Sequence, residues 1–163
     1  MIKKLLFTTG LILSLQLTAS SVEYRYTSTG FKYPVHKHHE ASYQNAWCSA
    51  HKGITEYEND DFTRVDCLTE THAVEFDFAN KWAESIGQAL HYQYKTGKRA
   101  KVLLILEEPE EEMRYFERVK ALAEKHDFDV EYVTPAILQL KNGKCSYIDC
   151  KCNKKYKKAK SGQ

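Results

Sequence analysis

The spacing of apolar positions changes several times along the chain, and each change marks a predicted element. Leu5 to Leu17 is an uncharged apolar stretch, and Val22 to Pro34 is a polar, Tyr-rich lead that reads as extended or irregular. From His36 to Lys52 the positions Ala41, Gln44, Ala46, Trp47, Cys48 and Ala50, with no breaker before Gly53, predict a first helix. Three short β-rich runs follow, Ile54–Tyr57, Thr63–Cys67 and Ala73–Phe78. They are separated by the turn-forming stretches 58–61 and 69–72, so three consecutive antiparallel strands are expected. Trp82, Ile86, Ala89, Leu90 and Tyr94 recur at helical spacing, with Asn80 placed to cap the helix and Gly97 to close it. The unbroken run Val102–Leu106 predicts a strand covered on both faces. A third helix over about Glu110–His126 and a strand at Asp129–Val133 complete the order α-β-β-β-α-β-α-β. This pattern predicts one α/β domain over residues 36–140, a mixed central sheet flanked by helices, with no internal repeat.

Charge changes the picture only when it is divided by region. The 163 residues carry 24 Lys plus Arg against 22 Asp plus Glu, a formal +2. Met1-Ile2-Lys3-Lys4, the apolar stretch and Thr18-Ala19-Ser20-Ser21 have the three-part layout of a secretory signal, so residues 1–21 are expected to be cleaved. The apolar run is shorter than the roughly 20 residues a membrane anchor needs, and no stable anchor is expected. An exported protein, periplasmic or secreted, is the expectation. Lys151, Lys154, Lys155, Lys157, Lys158 and Lys160 lie in a Cys/Lys-rich tail, residues 141–163. Setting aside Lys3, Lys4 and these six leaves 16 basic against 22 acidic residues in the body. A lysine run of this kind reads as a solvated tail or, less commonly, as an arm for nucleic acid or a membrane surface. Export permits disulfides among Cys48, Cys67, Cys145, Cys150 and Cys152. The tail spacing C-x4-C-x-C lacks paired zinc knuckles and favours a disulfide over a metal there; the pairing stays open.

The candidate chemistry lies between Val65 and Tyr92. In a strand, Glu75 and Asp77 share one face while Val74, Phe76 and Phe78 share the other. Two carboxylates so placed among apolar neighbours must be hydrogen-bonded, solvated or holding a cation. Asp66 on the preceding strand lies beside them if the hairpin is in register, and such an oxygen-rich set suits a hard cation such as Mg2+ or Mn2+. Lys81, in the first turn of the next helix, is placed to reach back over the strand end. Gln88 and Tyr92, four apart, stack on one helical face.

This order of elements and residues resembles the PD-(D/E)xK nuclease superfamily, in its branch of RecB-like and Holliday-junction-resolvase-like cores, and in particular small exported bacterial proteins placed near it. The resemblance spans about Glu40 to Val133. It implies a restriction-endonuclease-like αβββαβ core and Mg2+-dependent hydrolysis of phosphodiesters in DNA or RNA. It also implies roles: Asp66 and Glu75 as metal ligands, Glu40 as the first-helix glutamate that joins them, and Gln88 with Tyr92 as the QxxxY element. Where the superfamily carries its lysine, two residues after Glu75, this chain has Asp77, and Lys81 is the substitute from the neighbouring helix. The opposing expectation is a secreted binding or structural module that kept the fold and lost turnover. A third is a redox or metal-handling protein built on the tail cysteines.

Other features read more plainly. Glu107, Glu108, Glu110, Glu111 and Glu112 are expected to be solvated acids that favour a helix start. His36, His38 and His39 are expected at the surface, and His72 and His91 carry no assigned role. No G-x-S-x-G element or Gly-rich phosphate loop is present.

Overall fold

The structure, a computed structural model, describes residues 36–141 in full and the backbone of 24–26 and 32–34. The signal-like segment and the tail, with Cys145, Cys150, Cys152 and the six lysines, lie outside the described residues. In the lead, β1 (Tyr24–Tyr26) pairs antiparallel with β2 (Lys32–Pro34), with Tyr24 opposite Pro34.

The body follows the order predicted from its periodicity: α1 (Glu40–Ala50), β3 (Ile54–Glu58), β4 (Arg64–Leu68), β5 (His72–Phe78), α2 (Trp82–Thr96), β6 (Arg99–Ile105), α3 (Pro109–Ala123) and β7 (Asp129–Val133). The strands form one mixed sheet in the order β3-β4-β5-β6-β7. Pairs β3–β4 and β4–β5 are antiparallel, whereas β5–β6 and β6–β7 are parallel and joined by α2 and α3.

Side-chain alternation divides the core between the two faces of the sheet. Leu103 and Ile105 of β6 and Val74, Phe76 and Phe78 of β5 pack against Tyr43, Trp47 and Cys48 of α1. Ala100, Val102 and Leu104 of β6 face Ala89 of α2 and Val119 of α3. Strand β6 is therefore covered on both sides, which explains its unbroken apolar run.

Local chemistry moves several boundaries. The first helix starts at Glu40, four residues later than its apolar spacing suggests. The Glu107 carboxylate holds the segment before it out of helix by accepting the backbone N–H of Lys37 at 3.0 Å and of His38 at 3.1 Å. His39 then caps the helix, its Nδ1 accepting from Ala41 N. Asn80 is not an N-cap. It lies inside a 3-10 turn, Ala79–Lys81, and Lys81 precedes α2 without a side-chain cap bond. Gly97 closes α2 at φ 66°, a left-handed conformation that suits glycine.

The disulfide in the described part of the chain joins Cys48 of α1 to Cys67 of β4. A loop of this length restricts the unfolded chain by about 3 kcal/mol in the chain-entropy account. Gly53 packs directly on it; a Cβ there would lie 2.5 Å from Cys67 Sγ and 2.7 Å from Cys48 Sγ. Among the described residues, no helix is long and apolar enough to cross a membrane.

Candidate active site

The site is built where β4 leaves β5. The two strands pair only through Cys67↔Val74 and Leu68↔Ala73, while β5 continues beside β6 as far as Phe78↔Ile105. From Glu75 onward, β5 therefore has no backbone partner on its β4 side. Asp66 fills the gap with its side chain, Oδ2 accepting from Phe76 N at 2.7 Å. Opposite Asp66 on β3, Glu56 adopts φ 54°, a region that L-residues rarely occupy.

Acidic groups converge on this notch from three elements. Glu75 and Asp77 are almost fully buried, on the β5 face opposite Phe76 and Phe78. Glu40, at the start of α1, is close enough to be coupled to Asp66, Asp77 and Lys81. Burial first, and then the charges of Asp66 and Asp77, lifts its carboxyl to about 7. Gln44, one turn along α1, donates to Glu40 Oε1 at 3.2 Å and also hydrogen-bonds the Asp66 carboxylate.

Asp66 and Glu75 form a hydrogen-bonded carboxyl pair. Burial pushes both above the usual carboxylate range. Glu75 rises further, because Asp66, Asp77 and Glu40 all add repulsion and because Glu75 is the partner that keeps the proton. Tyr92 is also held well above its ordinary value, by burial and by the charges of Glu75 and Asp66. Its hydroxyl lies 3.5 Å from Gln88 Oε1, so Gln88 reaches the cluster through Tyr92.

Lys81 supplies the cation. Its ammonium lies 3.2 Å from Asp77 Oδ1, with the lysine half-exposed and the aspartate buried. Burial raises the Asp77 carboxyl, and the Lys81 charge opposes that rise. Burial pulls the other way on Lys81, but Asp77 and Glu40 leave its ammonium above the ordinary lysine range.

All the sequence-predicted residues thus meet around one notch: Asp66, Glu75, Asp77 and Glu40 directly, Lys81 through Asp77, and Gln88 through Tyr92. Gln44 was missed, although its i, i+4 spacing from Glu40 is a helical signal. Glu107 corrects the reading of the acidic stretch. It is buried, and it accepts from Tyr43 Oη at 2.6 Å, from His36 Nδ1 at 3.1 Å and from the backbone N–H of Lys37 and His38. Burial opposes its ionisation, but these bonds outweigh that and hold it below its ordinary range. His38 is likewise buried, and burial lowers it away from the charged form.

Comparisons with protein-family profiles, with curated proteins and with solved structures found no match. What the site can do therefore rests on its own chemistry. Among the described residues, no three His, Cys, Asp or Glu side chains form a ready-made metal-binding group. The donor set nevertheless fits a hard divalent cation on one direct observation: Glu75 Oε2 is buried with no hydrogen-bond partner. An orphaned carboxylate oxygen costs about 1–3 kcal/mol or more unless something pairs with it. Oxygen ligands from Asp66, Glu75 and Glu40 are the type Mg2+ or Mn2+ takes.

Proposed function

We propose that this protein is an exported, Mg2+- or Mn2+-dependent nuclease with a restriction-endonuclease-like PD-(D/E)xK core. The observation that carries this reading is the buried, unpartnered Glu75 Oε2 beside Asp66, in a carboxyl cluster whose members are pushed towards protonation. The order α1-β3-β4-β5-α2-β6 and the positions of Asp66, Glu75, Gln88 and Tyr92 on it support the core. The Cys48–Cys67 disulfide and the signal-like start support export.

Asp66 and Glu75 would hold the metal, with Glu40 joining them. Bound there, the ion would supply Lewis-acid stabilisation of charge on a phosphodiester. The chain's own groups do the rest. Gln44 orients Glu40 and Asp66 by hydrogen bonds, and Tyr92 holds Glu75 in place. Lys81, anchored by Asp77, directs its ammonium towards the end of β5, where it stabilises negative charge on a phosphate oxygen and orients the attacking water. Asp77 thus does for Lys81 what direct placement on the strand does for the superfamily lysine. The lysines of 151–160 add a salt-sensitive contact to the nucleic-acid backbone, which the acidic body does not provide.

The test is metal-dependent cleavage by the mature chain of plasmid, single-stranded DNA and RNA in parallel. Cleavage is expected with Mg2+ or Mn2+ and not with EDTA, and Glu75→Ala is expected to abolish it. Cleavage that survives in Glu75→Ala refutes the assignment. One observation favours a second reading, a non-catalytic binding module: the Lys81 ammonium is committed to Asp77. Binding of nucleic acid without turnover in either metal would favour it.

A further inference from the structure

Many surface cations of the body are paired with acids: Arg64 with Glu58, Lys95 with Asp60 and Asp61, Arg99 with Asp127 and Asp129, Lys101 with Glu131. Arg114 and Arg118 of α3 are different. Glu110, Glu111 and Glu117 lie one helical turn from Arg114, at spacings that favour ion pairs. Among the described residues, neither arginine nevertheless makes an ion pair. Both guanidinium groups turn to aromatic rings instead. Arg118 Cζ lies 5.7 Å from the centre of the Trp82 ring and 5.3 Å from that of Tyr115, and Arg114 Cζ lies 4.9 Å from the same Tyr115 ring. Arg114 also donates to Tyr115 Oη at 3.2 Å. Trp82 and Tyr115 are half-buried, packed on the core of Ala79, Val102 and Leu104, whereas both arginines are exposed. The result is a ladder, with rings fixed on the core and cations fixed on the rings.

Its position follows from packing. Helix α3 lies against the 3-10 turn Ala79–Lys81, and Trp82, bonded directly to Lys81, opens α2. The ladder therefore begins at the turn that carries the cation of the acidic notch. From there it runs through Arg118 and Tyr115 to Arg114, towards the start of α3. A guanidinium held flat on a ring keeps its edge free. It presents a planar fork of N–H donors that fits a phosphate and loses little freedom in binding one. Arg114 and Arg118 are one turn apart, with Cβ atoms about 5–6 Å from each other, so one strand can engage both. The acidic body gives no broad attraction to a polyanion; at these two unpaired cations it is locally complementary to one.

We propose that Arg114 and Arg118 form a phosphate-contact site that guides the backbone of a nucleic-acid strand along α3, away from Lys81. The proposal rests on the nuclease reading for the identity of the partner and adds the direction in which the strand runs. Contacts of this kind position a strand without reading its bases.

The experiment measures binding, without turnover. Fluorescein-labelled single-stranded and duplex DNA oligonucleotides are titrated with the mature protein in EDTA over a range of KCl concentrations. Each lost phosphate contact flattens the slope of log K against log salt by about 0.7 on a single strand and about 0.9 on a duplex. The double variant Arg114→Gln with Arg118→Gln is therefore expected to flatten it by about 1.4 or about 1.8, and to weaken binding equally for all base sequences. The slope does not depend on the fraction of protein that is folded. A control, Lys120→Gln with Lys125→Gln, removes the same charge from exposed positions in and just after α3 and is expected to leave the slope nearly unchanged. An unchanged slope in the arginine variant, an equal change in the lysine control, or no binding by the wild-type protein overturns the proposal. A loss seen only on vesicles of phosphatidylcholine and phosphatidylserine also overturns it and assigns the ladder to a lipid surface. These outcomes leave the cleavage assay untouched. If the slopes change as expected and the wild-type protein cleaves nothing in Mg2+ or Mn2+, the nuclease reading falls while the strand contact stands.

Discussion

In the proposed reading, Glu75 would favour chemistry at the expense of stability. Its carboxyl is buried among Asp66, Asp77 and Glu40, and one oxygen is unpartnered. Glu75→Gln keeps the shape and removes a group that resists ionisation. In EDTA at about pH 8 it is expected to stabilise the protein by about 1–3 kcal/mol in urea denaturation while abolishing metal-dependent cleavage. Lys81→Ala acts in the opposite sense. It leaves the buried Asp77 without its ammonium and is expected to cost about 1–2 kcal/mol in the same assay. That is below the figure for breaking a fully buried pair, because Lys81 is half-exposed. A Lys81→Ala variant as stable as the wild type would show that the pair contributes nothing to the fold. The shared face of Glu75 and Asp77 was readable from period-2 alternation, whereas the place of Asp66 beside them depended on the register of the hairpin, which pairs Cys67 with Val74. Glu107 was not, because acids at a helix start are usually solvated, and nothing local reveals that Tyr43 and His36, both distant in sequence, converge on this one.

The elements were legible to the extent that their periodicity was clean. Strand β6 and the closure of α2 at Gly97 follow directly from an apolar run and a glycine. The start of α1 did not, because a tertiary contact, the Glu107 carboxylate on the backbone of 37 and 38, overrides the helical spacing of the sequence there. Glu107→Gln is therefore expected to loosen the entry to α1, measured as faster amide exchange at Lys37 and His38. The disulfide pairing was not legible either, since five cysteines allow many pairings. Cys48 lies one turn beyond Gln44 on α1, and Cys67 follows Asp66 on β4, so the cross-link sets the distance between the two elements that carry half the cluster. Replacing both cysteines by serine is expected to cost about 3 kcal/mol and to weaken Mg2+ binding, measured by calorimetry. Gly53→Ala, which drives a methyl into both sulfur atoms, is expected to destabilise the protein while the disulfide remains formed.

The stability of the whole protein should depend on pH in a way set by these raised carboxyls. Glu40 titrates at about 7 in the folded protein against 4.5 as its ordinary value. Between those values the folded state binds more protons than the unfolded chain, so stability falls as pH rises from about 4.5 to about 7. Asp66 and Glu75, also raised, act in the same sense, whereas Glu107, held low, contributes stability that is lost on acidification. Thermal melts without metal should therefore peak at mildly acidic pH. A divalent cation that takes the place of those protons reverses the trend, and the rise in Tm on adding Mg2+ should be larger at about pH 8 than at about pH 5. A rise independent of pH would show that Mg2+ does not bind through these groups.

The parting of β4 from β5 leaves the amide of Phe76, in the middle of the sheet, bonded to the Asp66 carboxylate instead of a strand carbonyl. Amides around it are protected from hydrogen exchange by the ladder; this one is protected by a group that can be protonated or drawn towards a cation. Its NMR shift and exchange rate therefore report the state of the acidic cluster from inside the fold. The signal should respond to pH and to Mg2+ while that of Leu103, on the neighbouring strand, stays still.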